Sequence, residues 1–290
     1  MIFKTIFAPL AFEETAKLVT DTALSLAGAF KGHVMAHHVR QRFTEYPPME
    51  FYPTSGAATV LAMEGHDEAT TVFARTMRAQ FEERCDAGDV HIVPVSEALK
   101  QNGVTASWTE EIGQLPVSYS MAARVADLVV MAIPATKEVY PERELFESLL
   151  MQSSAPVFLT PRSGLAAMPR RPLVAWDGSL QASRVVRCAL PMLQESEETT
   201  LLTIGETDVG TPSLEAAKLW LERAGVRVKT RSVEWPDRPI AERILNQCDA
   251  TNSDLVLMGG YSHSRLRETI MGGVTLHMIR HADRPLLMVH

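Results

Sequence analysis

A chain of 290 residues is about twice the usual domain size, so two domains are expected, although one large α/β domain would also fit. A hydrophobic fraction of 46% and a charged fraction of 22% lie near the globular average and argue against a disordered or fibrous protein. The net charge is −7 and the 28 Lys and Arg residues are scattered, so the chain lacks the basic stripe of a nucleic-acid-binding protein.

In the first half of the chain, short apolar runs alternate with stretches of helical period, which is typical of βαβ units around a buried parallel sheet. The runs predict strands at Ile2–Ala8, His33–Val39, Val90–Val95, Asp127–Ile133 and Pro156–Thr160. The periodic stretches predict helices near Glu13–Ala29, Glu64–Ala87, Glu110–Arg124 and Glu142–Met151.

The second half repeats this order of elements. Its predicted strands are Pro172–Trp176, Thr199–Ile204, Val226–Val233, Asp254–Met258 and Pro285–Val289. Its predicted helices lie near Ala182–Leu193, Ser213–Ala224, Ile240–Ala250 and Gly272–His281.

Two pairs of strands align the halves as a duplication. The segment Asp127–Met131 matches Asp254–Met258 at an offset of 127, and Ala155–Leu159 matches Arg284–Met288 at an offset of 129. A duplicated domain keeps its offset wherever nothing has been inserted. The sequence therefore predicts an internal tandem repeat.

The first strands align at an offset of about 167, so the first half contains roughly 40 additional residues. Most of them are expected in Arg40–Gly65, whose Pro and Gly density favours a long ordered loop or hairpin. The Pro-, Gly- and Arg-rich stretch Pro161–Arg171 is the expected linker. The predicted domains are residues 1–162 and 170–290.

The compartment is expected to be the cytoplasm. Cys85, Cys188 and Cys248 are far apart and form no C-x-x-C pair, which favours free core thiols in a reducing environment. The longest apolar run, Ala126–Ala135 apart from Asp127, is shorter than the about 20 residues that span a bilayer. No cleavage-site pattern follows the apolar start of the chain, which is interpreted as a strand.

Ligands of open parallel sheets bind at the carboxyl ends of the strands, where the strand order reverses. The first strand of the second half is followed by Asp177-Gly-Ser, and its fourth strand by Gly259-Gly-Tyr-Ser, with Gly272-Gly273 opening the next helix. Such glycines let backbone N–H groups approach an anion beside a helix N-terminus. Glycine also occupies turns for structural reasons, so this pattern alone is a weak signal for phosphate.

These motifs resemble the universal stress protein family over both halves of the chain. That family ends its fourth strand with G-x2-G-x9-G-[ST], places an acid after its first strand and closes with an apolar Pro-Val strand. The nearest counterparts here are Leu255–Glu268, Gly272–Thr275 and Arg280–His290. The resemblance implies two Rossmann-like, HUP-type α/β domains, each a five-stranded parallel sheet with helices on both faces.

The resemblance also implies a site for ATP or a related adenine nucleotide in the C-terminal half. The residues predicted for this site are Trp176, Asp177, Ile204, Met258, Gly259, Ser262, Arg265, Gly272, Gly273, Val274 and Thr275. Arg265 is included because its guanidinium, in the loop over the phosphates, would suit them; a solvated loop face is the alternative. Ser262 replaces the second motif glycine and Gly273 the motif hydroxyl, so the site is altered. Magnesium or manganese would enter with the phosphates, held by them and by Asp177.

In the first half, Leu10-Ala11 replaces the acid, and Ala132-Ile-Pro-Ala follows the fourth strand without a glycine. Pro134 also removes an N–H donor at the expected phosphate position. We therefore expect this half to have lost the nucleotide. His277 and His281 share a helix face at a spacing that can hold zinc, but no third ligand is near, so they are interpreted as packing or surface histidines. Of His37 and His38, which point to opposite faces of a strand, only one could enter a site, and a packing role is favoured.

The function implied is a stress-response sensor or chaperone-like partner with at most slow ATP hydrolysis, since no catalytic base stands out. Two alternatives remain open: a nucleotide-independent interaction scaffold and a nucleotide-cleaving enzyme. The closing strands Pro156–Thr160 and Pro285–Val289 are expected to pair antiparallel, which makes the chain an internal pseudo-dimer. The insertion Phe43–Ser55 either mediates a homodimer or folds over its own domain.

Overall fold

The computed structural model describes residues 3–41, 56–98, 100–101, 103–135, 140–205, 210–234, 239–260 and 273–290. Its strands are β1 (Thr5–Pro9), β2 (His33–Arg40), β3 (His91–Ile92), β4 (Thr105–Ile112), β5 (Leu128–Ala132), β6 (Val157–Thr160), β7 (Pro172–Ala175), β8 (Thr199–Ile204), β9 (Val228–Val233), β10 (Leu255–Gly259) and β11 (Leu286–Val289). Its α-helices are α1 (Glu13–Phe30), α2 (Gly56–Ala87), α3 (Val95–Ala98), α4 (Val117–Ala122), α5 (Tyr140–Gln152), α6 (Leu180–Gln194), α7 (Leu214–Arg223), α8 (Ile240–Thr251) and α9 (Gly273–His281), and a 3-10 turn covers Ala123–Val125.

All eleven of these strands form one sheet, in the order β3-β4-β2-β1-β5-β6-β11-β10-β7-β8-β9. Neighbouring strands are parallel except β6 and β11, which run antiparallel with Phe158 opposite Leu287. The order β4-β2-β1-β5-β6 in the first half is repeated as β9-β8-β7-β10-β11 in the second. The predicted α/β fold and the antiparallel pairing of the two closing strands are therefore confirmed.

The described residues of the first half form six strands rather than the predicted five. Residues 105–112 form β4, which takes the edge position that β9 holds in the second half, and β3 is an added outer strand. The predicted helix Glu110–Arg124 is wrong over its first part, because helix α4 begins only at Val117. The segment is polar, yet Thr105 and Ser107 are buried against β2, where pairing with a distant strand overrides the local pattern.

The expected loop or hairpin at Arg40–Gly65 is wrong for residues 56–65, which belong to the long helix α2. Buried Ala74, Met77, Phe81 and Cys85 recur at helical spacing and pack the later turns of α2 against the sheet, beside α1. The segment Phe43–Ser55, proposed as a contact surface, lies outside the described residues.

Helices cover both faces of the sheet, and each face has its own apolar cluster that runs through both halves. One cluster lies under α1, α2, α6 and α7 and includes Val19, Phe81, Phe158, Val185, Leu221 and Leu287. The other lies under α4, α5, α8 and α9 and includes Phe7, Phe146, Val157, Ile244, Met278 and Leu286. Among the helices of the described segments, none combines the length and the apolar character needed to cross a membrane.

Each half has an aspartate, at the corresponding position, that joins its first strand to its fourth. Asp127, directly before β5, accepts hydrogen bonds from Lys4 N at 2.9 Å and Thr5 N at 2.8 Å. Asp254, directly before β10, accepts in the same way from the two backbone N–H groups before β7, both at 2.8 Å. The offset of 127 seen in the sequence is therefore also an offset in structural role.

The cysteines are free thiols, as predicted. Cys85 and Cys248 are buried and Cys188 is half-buried. Burial raises the pKa of Cys85 and of Cys248 to about 12, so neither forms a thiolate near neutral pH.

Candidate functional site

The candidate site lies where the strand order of the second half reverses. From β7 the chain continues to β8 on one side, whereas β10 pairs with β7 on the other. Val174 pairs with Leu257, so the residues that follow β7 and the end of β10 meet at one edge of the sheet. Crossover helices of parallel sheets begin at this carboxyl edge, which brings the starts of α6 and α9 to the same side.

The turn after β7 places one carboxylate in solvent. Asp177 is exposed, and its Oδ1 accepts a hydrogen bond from Ser179 N at 2.9 Å. Ser179 is the N-cap of α6, and its Oγ accepts from Ala182 N at 3.1 Å. These hydrogen bonds hold Asp177 at the carboxyl ends of the strands.

Trp176, the neighbouring candidate, is a buried residue. Only 3% of it is exposed, and its indole Nε1 donates to Pro212 O at 3.1 Å. Its own carbonyl accepts from Thr203 Oγ1 at 3.0 Å. Because its indole donor is already hydrogen-bonded inside the protein, Trp176 supports the β7 turn by packing and offers no free polar group to a ligand.

Gly178 has a positive φ of 77°, which favours glycine. A Cβ there would lie 2.6 Å from Thr211 Oγ1, so the segment after residue 209 packs closely over the β7 turn. The sequence analysis did not identify Thr211 and Pro212, since their contact with this turn depends on the fold.

The first glycine of the predicted phosphate motif has a packing role. A Cβ at Gly259 would lie 2.6 Å from Gln181 Cβ and 3.0 Å from Ala182 N, at the start of α6. Met258 beside it is buried. Glycine is therefore required at position 259 by helix–strand packing, with or without a ligand.

The other predicted residues differ in their surroundings. Gly273 is the first residue of α9, and no described atom lies within 4 Å of the position of an added Cβ, so its backbone is open. Ile204 and Val274 are half-buried against the apolar cluster on the α8/α9 face, whereas Thr275 is buried. Ser262, Arg265 and Gly272 lie outside the described residues.

Residues 168–290 match the model of the Universal stress protein family. The C-terminal part of the chain is therefore similar to the universal stress proteins. A universal stress protein of Synechocystis sp. is 26% identical over 145 residues, a match that covers 49% of this chain and 49% of that protein. The chain thus matches about half the length of that relative.

The universal stress protein fold extends over both halves. The crystal structure of a universal stress protein from Archaeoglobus fulgidus DSM 4304 matches 98% of this chain and 95% of its own, at 16% identity and a TM-score of 0.63. At this identity the likeness concerns the fold. A universal stress protein solved in complex with cAMP matches 43% of this chain and 98% of its own, at 18% identity and a TM-score of 0.35.

The corresponding strand ends of the first half are filled by side chains. Leu10, at the position of the acid, is buried, and its carbonyl lies 2.7 Å from His38 Nδ1. His37 Nδ1 lies 2.7 Å from Thr109 Oγ1, and its ring packs edge-on against Tyr119. Both histidines are buried, in agreement with their interpretation as packing residues.

Three buried histidines of this half predict acid-sensitive stability. Burial lowers the pKa of His33, His37 and His38 from 6.5, although Glu111 beside His37 opposes the change. A histidine with a lowered folded pKa binds fewer protons than in the unfolded chain, so stability is full above about 6.5 and falls as the pH drops towards the folded pKa. A tenfold difference in proton affinity between the folded and the unfolded chain contributes about 1.4 kcal/mol.

We expect the free energy of unfolding in urea to decrease between about pH 7.5 and about pH 5.5. His38→Asn keeps a donor for the Leu10 carbonyl, because its amide nitrogen takes the place of Nδ1, and it removes the titrating ring, so it should reduce this decrease. His91 is exposed, and His91→Asn serves as the control that leaves the decrease unchanged. An equal pH dependence for both variants would contradict the assignment.

Proposed function

We propose that the C-terminal half binds ATP or a related adenine nucleotide at the carboxyl ends of β7 and β10. The protein then acts as a stress-response sensor, regulator or chaperone-like partner with at most slow hydrolysis. The observation that carries the proposal is the open backbone of Gly273 at the start of α9, on the edge of the sheet that also presents Asp177. The first N–H groups of a helix have no intrahelical partner and favour an anion such as phosphate.

The apolar contacts needed for a base come from the same edge. Ile204 at the end of β8 and Val274 in α9 are half-buried, so part of each side chain is accessible. Asp177 is suited by its exposed carboxylate to a ribose hydroxyl or to a divalent cation such as magnesium or manganese, which would neutralise phosphate charge. Purine stacking and phosphate binding would thus use different parts of one edge.

The test compares two ligands that differ only in phosphate. Gly273→Val places a branched side chain over the first turn of α9 and should weaken ATP about tenfold, which corresponds to about 1.4 kcal/mol and to the loss of a hydrogen bond to a charged group. Adenosine should be affected much less. The measurement is equilibrium binding by calorimetry or fluorescence titration.

Gly28→Val is a matched control for this substitution. Gly28 is exposed in α1 of the first half, and an added Cβ meets no described atom within 4 Å there either. It should leave both affinities unchanged. Equal losses for ATP and adenosine in Gly273→Val would show that this turn does not contact phosphate.

A nucleotide-independent scaffold is the second candidate function, favoured by Gly178 and Gly259. Both glycines are required by close packing within the chain, so their presence does not depend on a ligand. Failure of intact protein to bind either ATP or adenosine would favour the scaffold. A turnover assay on ATP-binding protein then separates a sensor from a nucleotide-cleaving enzyme.

A further inference from the structure

A buried carboxylate, paired with an exposed arginine, fills the strand end of the first half that corresponds to the proposed phosphate site. Glu142 lies in the first turn of α5, and only 8% of it is exposed. Its Oε2 accepts a hydrogen bond from Ala135 N at 2.7 Å, just after β5. Arg162, just after β6, donates through Nη2 to Oε1 at 2.9 Å and to Oε2 at 2.7 Å.

The position of this carboxylate follows from the duplication. Leu128 of β5 corresponds to Leu255 of β10 at the offset of 127, and the same offset places Ala135 at Ser262 in sequence. Helix α5 precedes the closing strand β6 as α9 precedes β11. Glu142 therefore lies between a strand exit and a helix start, which is where the proposed nucleotide phosphates lie in the second half.

The partners of Glu142 are those that bind an anion. A backbone N–H after a strand, the N-terminal turn of a helix and an arginine each favour negative charge, and a guanidinium suits carboxylate and phosphate alike. A nine-tenths buried carboxylate would be costly without such partners. The contacts of Arg162 and Ala135 offset that cost.

We propose that Glu142 is a built-in anion: its carboxylate, held by Arg162 and Ala135 N, fills the counterpart of the phosphate site and excludes free anions from the first half. The inference rests on the proposed function for the position of the phosphates in the second half. The proposal explains why only the second half would bind a nucleotide: the corresponding phosphate subsite of the first half is already occupied, in addition to lacking the glycines. Without this carboxylate, Arg162 and Ala135 N would be the groups that bind a phosphate.

The test removes the carboxylate and supplies inorganic phosphate. In the intact chain, Glu142→Ala leaves Arg162 and Ala135 N without their acceptor, so one additional saturable phosphate site per chain is expected. Phosphate should also raise the midpoint of thermal unfolding of this variant more than that of the unaltered chain, since a ligand that binds only the folded state stabilises it. Arg162→Ala added to Glu142→Ala should abolish both gains.

Glu147→Ala is the matched control, because Glu147 lies on the same helix in an exposed ion pair with Arg143 at 2.8 Å. It also corrects for the general stabilising effect of phosphate. Equal phosphate binding by Glu142→Ala and Glu147→Ala would overturn the proposal. If Glu142→Ala is unfolded in chloride, folding in phosphate of equal ionic strength supports the proposal, and an unfolded chain in both salts contradicts it.

The outcome is separable from that of the proposed function. Any phosphate bound by the second half is common to both glutamate variants and cancels in their difference. ATP binding and its response to Gly273→Val report on the second half. Loss of ATP binding with a retained phosphate difference would therefore reject the nucleotide proposal while keeping the anion site of the first half.

Discussion

Replacing Leu287 with alanine is expected to lower the free energy of unfolding by about 2 to 5 kcal/mol, the range for removing a buried leucine side chain. Leu287 is fully buried in β11 and lies opposite Phe158 of β6, at the junction of the two halves. It belongs to the apolar cluster that continues from one half to the other. A cavity there weakens the contact between the halves as well as the local core.

Leu219→Ala is the control for this prediction, since Leu219 in α7 is 53% exposed. The same change of residue type should alter stability by no more than about 0.5 kcal/mol there. Urea unfolding followed by circular dichroism measures both values. Similar losses for the two variants would mean that the β6–β11 junction does not bury Leu287 in solution.

Gly259→Ala is expected to destabilise the folded chain by about 1 to 3 kcal/mol, as for overpacked core sites. The added Cβ would lie 2.6 Å from Gln181 Cβ and 3.0 Å from Ala182 N, and the backbone nitrogen cannot move aside as a flexible side chain would. Helix α6 must therefore shift away from β10. The shift also moves the Asp177 turn, so nucleotide affinity should fall together with stability.

Gly273→Ala provides the comparison for this second substitution. A Cβ at Gly273 meets no described atom within 4 Å, so stability should change little. Differential scanning calorimetry of both variants decides between the two roles of glycine. An undisturbed unfolding midpoint for Gly259→Ala would show that the close approach of α6 is absent in solution, and Gly259 would then be explained by a ligand alone.

The amino-acid sequence alone determined the class of fold and predicted a duplication. Apolar runs such as Leu255–Met258 are long enough for buried strands and are bounded by helical patterns, so their type follows from local periodicity. The offset between Asp127 and Asp254 predicted the repeat. The sequence also identified the two apolar closing strands, because an unpaired apolar edge has to be covered.

Only the tertiary structure decided features whose partners are distant along the chain. Strand β4 is polar and forms because it pairs with β2, from which residues 41–104 separate it in sequence. This pairing overrides the helical pattern that begins at Glu110. The packing role of Gly259 depends on the approach of Gln181. Glu142 is an ordinary helix-start glutamate in sequence, and only the return of β6 beside β5 brings Arg162 to it. Such contacts leave no local pattern, because their energy comes from groups that meet only when the sheet is complete.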